Sequence, residues 1–125
     1  MKVKKIKYYT IDLVNDNPDC LFIFGSNLIG RGMGGQAIIR YCKNAHGIPT
    51  KKLPMNTPKS FFTDREFEKN KEVIKAAIDS IDSSYDTIVF PEDGLGTGLA
   101  ELPKRAPKTY SFMIDYINSK FGNVY

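Results

Sequence analysis

Hydrophobic and polar positions along the chain predict short strands separated by helices. Cys20–Phe24 is a continuous apolar run, typical of a strand that is buried on both faces of a sheet. Asp86–Pro91 predicts a second internal strand, Val3–Tyr9 an outer strand, and Gly47–Lys51 a further short one. Because helical patterns separate these runs, the sequence predicts an α/β fold with a largely parallel sheet and helices on both sides.

Three segments carry apolar residues at helical spacing. The first covers 37–45 and ends at Gly47, which places His46 at a helix terminus. The second begins with the capping box Thr63-Asp-Arg-Glu66, and the third ends at Gly122. Their apolar positions are Ala37, Ile38, Tyr41, Cys42 and Ala45 in the first segment, Phe67, Ile74, Ala77, Ile78 and Ile81 in the second, and Tyr110, Met113, Ile114, Ile117 and Phe121 in the third.

Glycine is concentrated in two clusters. Five of the ten glycines lie within 25–35 and three within 94–98, and each cluster follows a predicted strand and precedes a helix. Ligands of parallel sheets bind beyond the carboxyl ends of the strands, and glycine turns at helix N-termini offer N–H groups to phosphate. The two clusters therefore predict one crevice for a phosphorylated ligand. A purely structural pair of tight turns is the alternative.

Two familiar phosphate loops fit the first cluster poorly. A P-loop requires Lys-Ser/Thr after Gly-x4-Gly, but Arg31-Gly32 follows Gly25-x4-Gly30. The series Gly30-x-Gly32-x-x-Gly35 matches the dinucleotide fingerprint literally, yet no acidic residue lies about 20 positions further on to hold a ribose.

Composition narrows the class of protein. A chain of 125 residues with 42% hydrophobic content fits one domain over 1–125, and the net charge of +4 favours anionic ligands. Two cysteines predict buried thiols in a reducing, cytoplasmic setting, and no apolar run reaches the length of a membrane span. With one histidine and no spaced cysteine pair, no metal and no cofactor are expected. The lysines of the N-terminus, Lys2, Lys4, Lys5 and Lys7, predict either an edge strand or a phosphate-contacting arm.

The second cluster resembles the second phosphate loop of macro domains, which bind ADP-ribose. The matching residues are Gly96-Thr97-Gly98, Pro103-Lys104 and Ala106, and Asn27 followed by Gly32, Gly34 and Gly35 is similar to the ribose loop of that family. The Phe-Gly-Ser-Asn form at 24–27 is also similar to small macro-like proteins of phage genomes. The resemblance covers nearly the whole chain. It implies a three-layer α/β/α fold with a mostly parallel mixed sheet.

The resemblance also implies a binding site for ADP-ribose or a related NAD-derived nucleotide. The diphosphate would lie between 94–98 and 30–35, Asn27 would hold the distal ribose, and Asp12 would lie near the adenine. On local sequence alone, Asn27 and Asp12 are equally well explained as turn residues. The expected binding residues are Asp12, Ser26, Asn27, Gly32, Gly34, Gly35, Gly94, Gly96, Thr97 and Gly98.

Catalysis is implied by one branch of the family, the terminal ADP-ribose glycohydrolase type. That branch uses a lysine after the middle strand, which Lys51 or Lys52 resembles, and an aspartate beyond the second loop. Ala100 stands at the aspartate position, so Glu101 would serve only if the loop turned it inward. The expected action is removal of ADP-ribose from a protein or nucleic acid. The alternatives are a phosphatase or hydrolase for another phosphorylated nucleotide, and a non-catalytic module that binds nucleotides or nucleic acid.

The stretch Leu53–Phe62 contains Pro54 and Pro58 and is long for a connection without structure of its own. It predicts a lid over the crevice. Phe61 and Phe62 would then either stack on a base or anchor the loop to the core.

Overall fold

The computed structural model describes residues 1–125 and contains one four-stranded sheet. Its strands are β1 (Lys2–Ile6), β2 (Cys20–Asn27), β3 (Ala45–Lys51) and β4 (Thr87–Pro91), in the order β1-β4-β2-β3. Every pair is parallel. The predicted α/β class is confirmed, but the expectation of a mixed sheet is wrong. Consecutive strands are joined by crossovers rather than hairpins, and the antiparallel pairing is one isolated bridge between Lys51 and Phe61.

Four α-helices and three short 3₁₀ turns connect and flank the strands. The helices are α1 (Ile11–Asn15), α2 (Phe67–Asp79), α3 (Leu102–Arg105) and α4 (Pro107–Phe121). The 3₁₀ turns cover Gly35–Ile39, Pro58–Ser60 and Asp64–Glu66. None of the helices combines the length and apolar composition that a bilayer crossing needs.

The alternation of side chains along β2 divides the core into two layers. Leu21 and Ile23 belong to a cluster that α2 and α4 complete, whereas Phe22 and Phe24 belong to a second cluster with residues of α1 and the first 3₁₀ turn. Because both faces of the sheet are buried, the strands are apolar throughout, as the sequence predicts. The central members are Ile48, Ile74, Ile78, Ile88, Phe90, Met113 and Ile117 in the first cluster, and Val14, Ala37, Ile39 and Val89 in the second.

The predicted helix over 37–45 is wrong. Only a 3₁₀ turn forms, and the chain enters β3 at Ala45. The buried Asn44 fixes this entry, because its side-chain amide donates to the carbonyls of Val14, Asn17 and Cys20 at 2.8–3.0 Å. Gly47 and His46 therefore lie within a strand instead of at a helix end.

The roles of Gly47 and His46 follow from their positions in β3. A Cβ on Gly47 would come within 2.8 Å of the Ser26 Cβ, so the residue is glycine because β2 lies very close. The Nε2 atom of His46 lies 2.8 Å from the Ala77 carbonyl and links β3 to α2.

The predicted capping box at 63–66 is also wrong. Thr63 makes no side-chain capping bond, residues 64–66 form a 3₁₀ turn, and α2 begins at Phe67. Glu66 is drawn away from the backbone because it pairs with the ammonium of Lys52.

Candidate functional site

A cleft of about 420 Å³ opens beyond the carboxyl ends of β2 and β3 and beside the loop that follows β4. A volume of this size is typical of small-molecule sites, and the position is the one that parallel sheets use for ligands. Three loops meet there: the first loop (28–34), the second loop (92–101) and the third loop (52–60). The lining residues are Gly25, Ser26, Asn27, Arg31, Gly32, Met33, Gly34, Gly35, Gln36, Ala37, Arg40, Thr50, Lys51, Pro54, Asn56, Gly96, Gly98, Leu99 and Ala100.

The structure brings both glycine clusters to this one cleft. Of the residues named from the sequence, those lining it are Ser26, Asn27, Gly32, Gly34, Gly35, Lys51, Gly96 and Gly98. Those that do not line it are Asp12, Lys52, Gly94, Thr97 and Glu101. Asp12 is exposed on α1, where it stands in the first turn of that helix, so the adenine role implied for it has no support in the geometry.

The first and second loops, with the residues that follow the first, offer backbone N–H donors that the chain itself does not use. The N–H groups of residues 32–36 and of residues 96–100 have no acceptor within the protein. Gly32, Gly35 and Gly96 have φ values of 95°, 58° and 74°, which glycine adopts without strain. Runs of free N–H groups on such a backbone are concave anion sites.

The charges of the cleft have one sign. Arg31, Arg40 and Lys51 line it, and no carboxylate does. Nowhere in the chain are three or more His, Cys, Asp or Glu side chains placed to hold a metal ion. Cations and free N–H groups together favour an anionic ligand.

Asn27 orders the first loop. Its Oδ1 accepts from the N–H groups of Ile29 and Arg31 at 3.1 and 3.4 Å, and its Nδ2 donates to the Arg31 carbonyl at 2.6 Å. The turn interpretation is therefore observed in the structure. A ribose would have to bind to the hydrogen-bonding positions of the Asn27 side chain that these three bonds leave free.

Thr97 has a similar local role. Its hydroxyl donates to the Asp93 carbonyl at 2.8 Å and closes the turn that precedes the cleft-lining residues of the second loop. Since the side chain is exposed and does not line the cleft, the expected contact of this hydroxyl with phosphate is not supported.

Two glycines of the first loop let the other loops lie directly on the backbone. A Cβ on Gly32 would come within 2.9 Å of Pro54, and one on Gly34 within 3.2 Å of Leu99 Cδ1. The third loop therefore touches the first across the cleft, as a lid would. Phe61 and Phe62 are buried in the protein, so they anchor this loop to the core.

The structure separates the two adjacent lysines. Lys51 is buried against the cleft, where its Nζ donates to the Met55 carbonyl at 2.6 Å and lies 4.7 Å from the centroid of the Phe61 ring. Burial lowers the pKa of Lys51; nearby Glu101 opposes this effect and Arg105 adds to it. Lys52 faces away from the cleft and pairs with Glu66.

Glu101 does not turn inward. It has a left-handed backbone (φ 46°) before α3, and its carboxylate lies 3.6 Å from Arg105 Nε and 3.7 Å from Lys104 Nζ. Ala100 takes the place on the cleft wall. Glu101 therefore influences Lys51 only through its charge.

Gln36 and Arg40 are among the cleft residues that the sequence analysis missed. Arg40 donates to the carbonyls of Gly32 and Arg31 at 2.7 and 3.2 Å and to Ser26 Oγ at 2.8 Å, so it holds the first loop from behind. A signal was present, because both are long polar side chains that flank the apolar positions of 37–39 directly after the glycines.

Fold and cleft define an α/β protein with a cleft lined by cationic side chains at the carboxyl edge of a parallel sheet. The chain belongs to a family of unknown function (DUF7831), whose model matches residues 4–116. No curated protein and no solved structure matches it.

Proposed function

We propose that this protein is a macro-like domain that binds ADP-ribose or a related NAD-derived nucleotide in the cleft. One observation carries the proposal: two loops, far apart in sequence, bring unused N–H groups to a single cleft lined by three cations and no carboxylate.

A diphosphate fits this arrangement better than a single phosphate does. The donors come in two separate runs, residues 32–36 and residues 96–100, and each run is suited to one phosphoryl group. Charge-assisted hydrogen bonds from Arg31 would add to this binding, and Arg40, whose guanidinium already donates to the first loop, would add its positive charge. The volume also leaves room for groups beyond the diphosphate.

Calorimetric titration with ADP-ribose, compared with ADP, ATP and NAD, tests this proposal. We expect ADP-ribose to bind most tightly. If none of the four nucleotides binds at about 1 mM, which corresponds to roughly −4 kcal/mol, the nucleotide proposal fails.

Gly98→Val is the variant best suited to this titration. Gly98 lines the cleft, has open space around its Cα and lacks a positive φ, so valine should obstruct the ligand without harming the fold. Gly96→Val is unsuitable, because φ is 74° there and a Cβ would lie 3.0 Å from Leu102. The control is Ser83→Val, at an exposed position that does not line the cleft, which should keep its affinity.

Removal of ADP-ribose from a protein or nucleic acid is a second candidate function, favoured by the surroundings of Lys51. A buried lysine with a lowered pKa holds a larger fraction of neutral amine, whose lone pair can attack C1 of a ribose as the bond to the acceptor group breaks. The acceptor group leaves with the proton that the nitrogen loses, and water then cleaves the new N–C1 bond to release ADP-ribose and restore the amine. Release of free ADP-ribose from a modified substrate measures this activity.

The alternative functions predict different experimental results. A phosphatase or hydrolase for another nucleotide would release phosphate from a substrate panel. A nucleic-acid-binding module using the lysines of β1 would lose affinity steeply as salt increases, whereas a nucleotide in the cleft would respond weakly.

A further inference from the structure

Gln36 connects the two donor loops at their base. Its Oε1 accepts from the Gly25 N–H at 2.9 Å, and its Nε2 donates to the Gly94 carbonyl at 2.9 Å. Gly25 lies in β2 and Gly94 lies in the second loop, 58 positions after Gln36 in the sequence. One neutral side chain therefore joins the carboxyl end of β2 to the loop after β4.

No other hydrogen bond joins residues 25–40 to residues 92–101. The pairing of β2 with β4 ends at Phe22 and Val89, so beyond that register the two strands are not held by a ladder. The other close approaches are packing contacts without direction: Leu99 lies over Gly34, and Gly25 lies beside the backbone of Gly96. Gln36 thus makes the one hydrogen-bonded link between the loops at the cleft floor.

We infer that Gln36 is a positioning residue, which sets the spacing between the donors of residues 32–36 and those of residues 96–100 so that one diphosphate can reach both. The inference rests on the proposed nucleotide function. Gln36 acts through the backbone at Gly25 and Gly94 and requires no contact with the ligand.

Glutamine is suited to this task because the bridge needs an acceptor at one terminal atom, a donor at the other and no charge. A carboxylate would face the Gly94 carbonyl without a proton to donate and would place a negative charge in a carboxylate-free cleft. Lysine or arginine would leave the Gly25 N–H without an acceptor.

The first experiment compares Gln36→Met with Asn118→Leu. Methionine keeps the length of the side chain but removes both hydrogen bonds. Asn118 makes a similar two-ended bridge far from the cleft, accepting from the Tyr125 N–H and donating to the Tyr125 carbonyl at 3.0 Å. We expect about a tenfold or greater loss of ADP-ribose affinity in Gln36→Met and little loss in Asn118→Leu at a comparable change of Tm. Equal effects on affinity would overturn the inference.

The second experiment uses pH to restore the bridge. In Gln36→Glu the protonated carboxyl again has one donor and one acceptor, whereas the ionised form has acceptors only. The affinity of this variant, divided by that of the wild type, should therefore rise several-fold as the pH falls from about 8 to 5. A ratio that does not change with pH would contradict the positioning role.

A ligand-free measurement separates this inference from the nucleotide proposal. In Gln36→Met, backbone order parameters from NMR relaxation should fall throughout residues 94–100, while those of β1–β4 outside Gly25 stay unchanged. If only the Gly25 amide changes, Gln36 does not position the second loop. If the wild type binds no nucleotide but the second loop loosens as expected, the proposed function fails and the spacing role stands.

Discussion

Lys51 and Lys52 show how much two neighbouring residues can differ in a fold. One ammonium is buried beside the cleft, hydrogen-bonded to a carbonyl and close to an aromatic ring; the other is partly exposed and paired with Glu66. The chain direction at the end of β3 decides between them, because successive side chains of a strand point to opposite sides.

Replacing Lys51 tests the catalytic candidate. Lys51→Arg keeps the positive charge but removes a nucleophilic amine, so ADP-ribose release should fall by well over about 100-fold while binding changes little. The rate of the wild type should rise with pH until it passes the lowered pKa of Lys51, because only the deprotonated amine attacks. Lys52→Arg is the matched control, and an equal loss of rate in both variants would rule out a specific role for Lys51.

At the residue scale, the sequence predicted which residue types lie near the cleft better than it predicted where their side chains point. The glycines of the cleft wall were identified because they follow strands, and lysine was identified at the end of β3. Glu101 could not be placed, since its direction depends on a left-handed backbone that its residue type does not favour. The Gln36 bridge could not be predicted either, because its partner Gly94 is 58 positions away.

At the scale of elements, the start of α4 is held by three hydrogen bonds to a carboxylate outside the helix. Asp64 Oδ2 accepts from the Lys108 N–H at 2.9 Å, and Oδ1 accepts from the Thr109 N–H and hydroxyl at 3.0 and 2.9 Å. Burial alone would raise the pKa of Asp64, but these hydrogen bonds and the Lys108 charge hold it below the ordinary 3.8. A carboxylate thus caps a helix to which it is not joined in sequence.

Asp64→Ala should lower the free energy of unfolding by about 1 kcal/mol at neutral pH, the usual effect of losing a cap. A lowered pKa in the folded state means that the stabilisation is complete above pH 4 and is lost as the pH falls through the folded pKa. The difference from the wild type in urea unfolding should therefore shrink as the pH falls below about 4. Asp64→Asn, which keeps a capping oxygen, should show a smaller loss and no such pH dependence.

The elements that the sequence misjudged share a physical cause. In 37–45 the spacing is helical, but Ile38 and Tyr41 are exposed while Ala37 and Ile39 are buried, so the face that packs is set by contacts with α1 and β2. At 63–66 the residues of a capping box are present, yet Lys52 and the start of α4 compete for its two carboxylates and win. Long-range partners decided both cases.

For the whole molecule, the cleft was predicted from the rule that ligands of parallel sheets bind beyond the carboxyl ends of the strands. Alternating strands and helices imply that the strands point the same way, and loops after strands then meet at one edge. The strand order could not be read from the pattern, and it is not sequential: β1 is bonded to β4 alone.

Because of this strand order, β1 is synthesised long before β4, the strand with which it pairs. Lys2 pairs with Thr87 and Ile6 with Pro91, so at roughly 5–20 residues per second β1 has no partner for on the order of ten seconds after it is made. An unpaired β-prone segment can join another chain during that interval, and lysine is the residue that natural edge strands use to prevent this. We therefore expect the lysines of β1 to protect against misassembly, a role that requires no nucleic-acid partner.

Neutralising this strand should therefore reduce refolding yield more than stability. In Lys2→Thr, Lys4→Thr and Lys5→Thr combined, we expect more light scattering on dilution from denaturant, increasing with protein concentration, and a Tm close to that of the wild type. The control replaces three exposed lysines outside the strand, Lys43, Lys59 and Lys69, which gives the same net charge. Similar aggregation in both triple variants would show that total charge causes the effect. The lysines of β1 would then have no specific role in preventing aggregation.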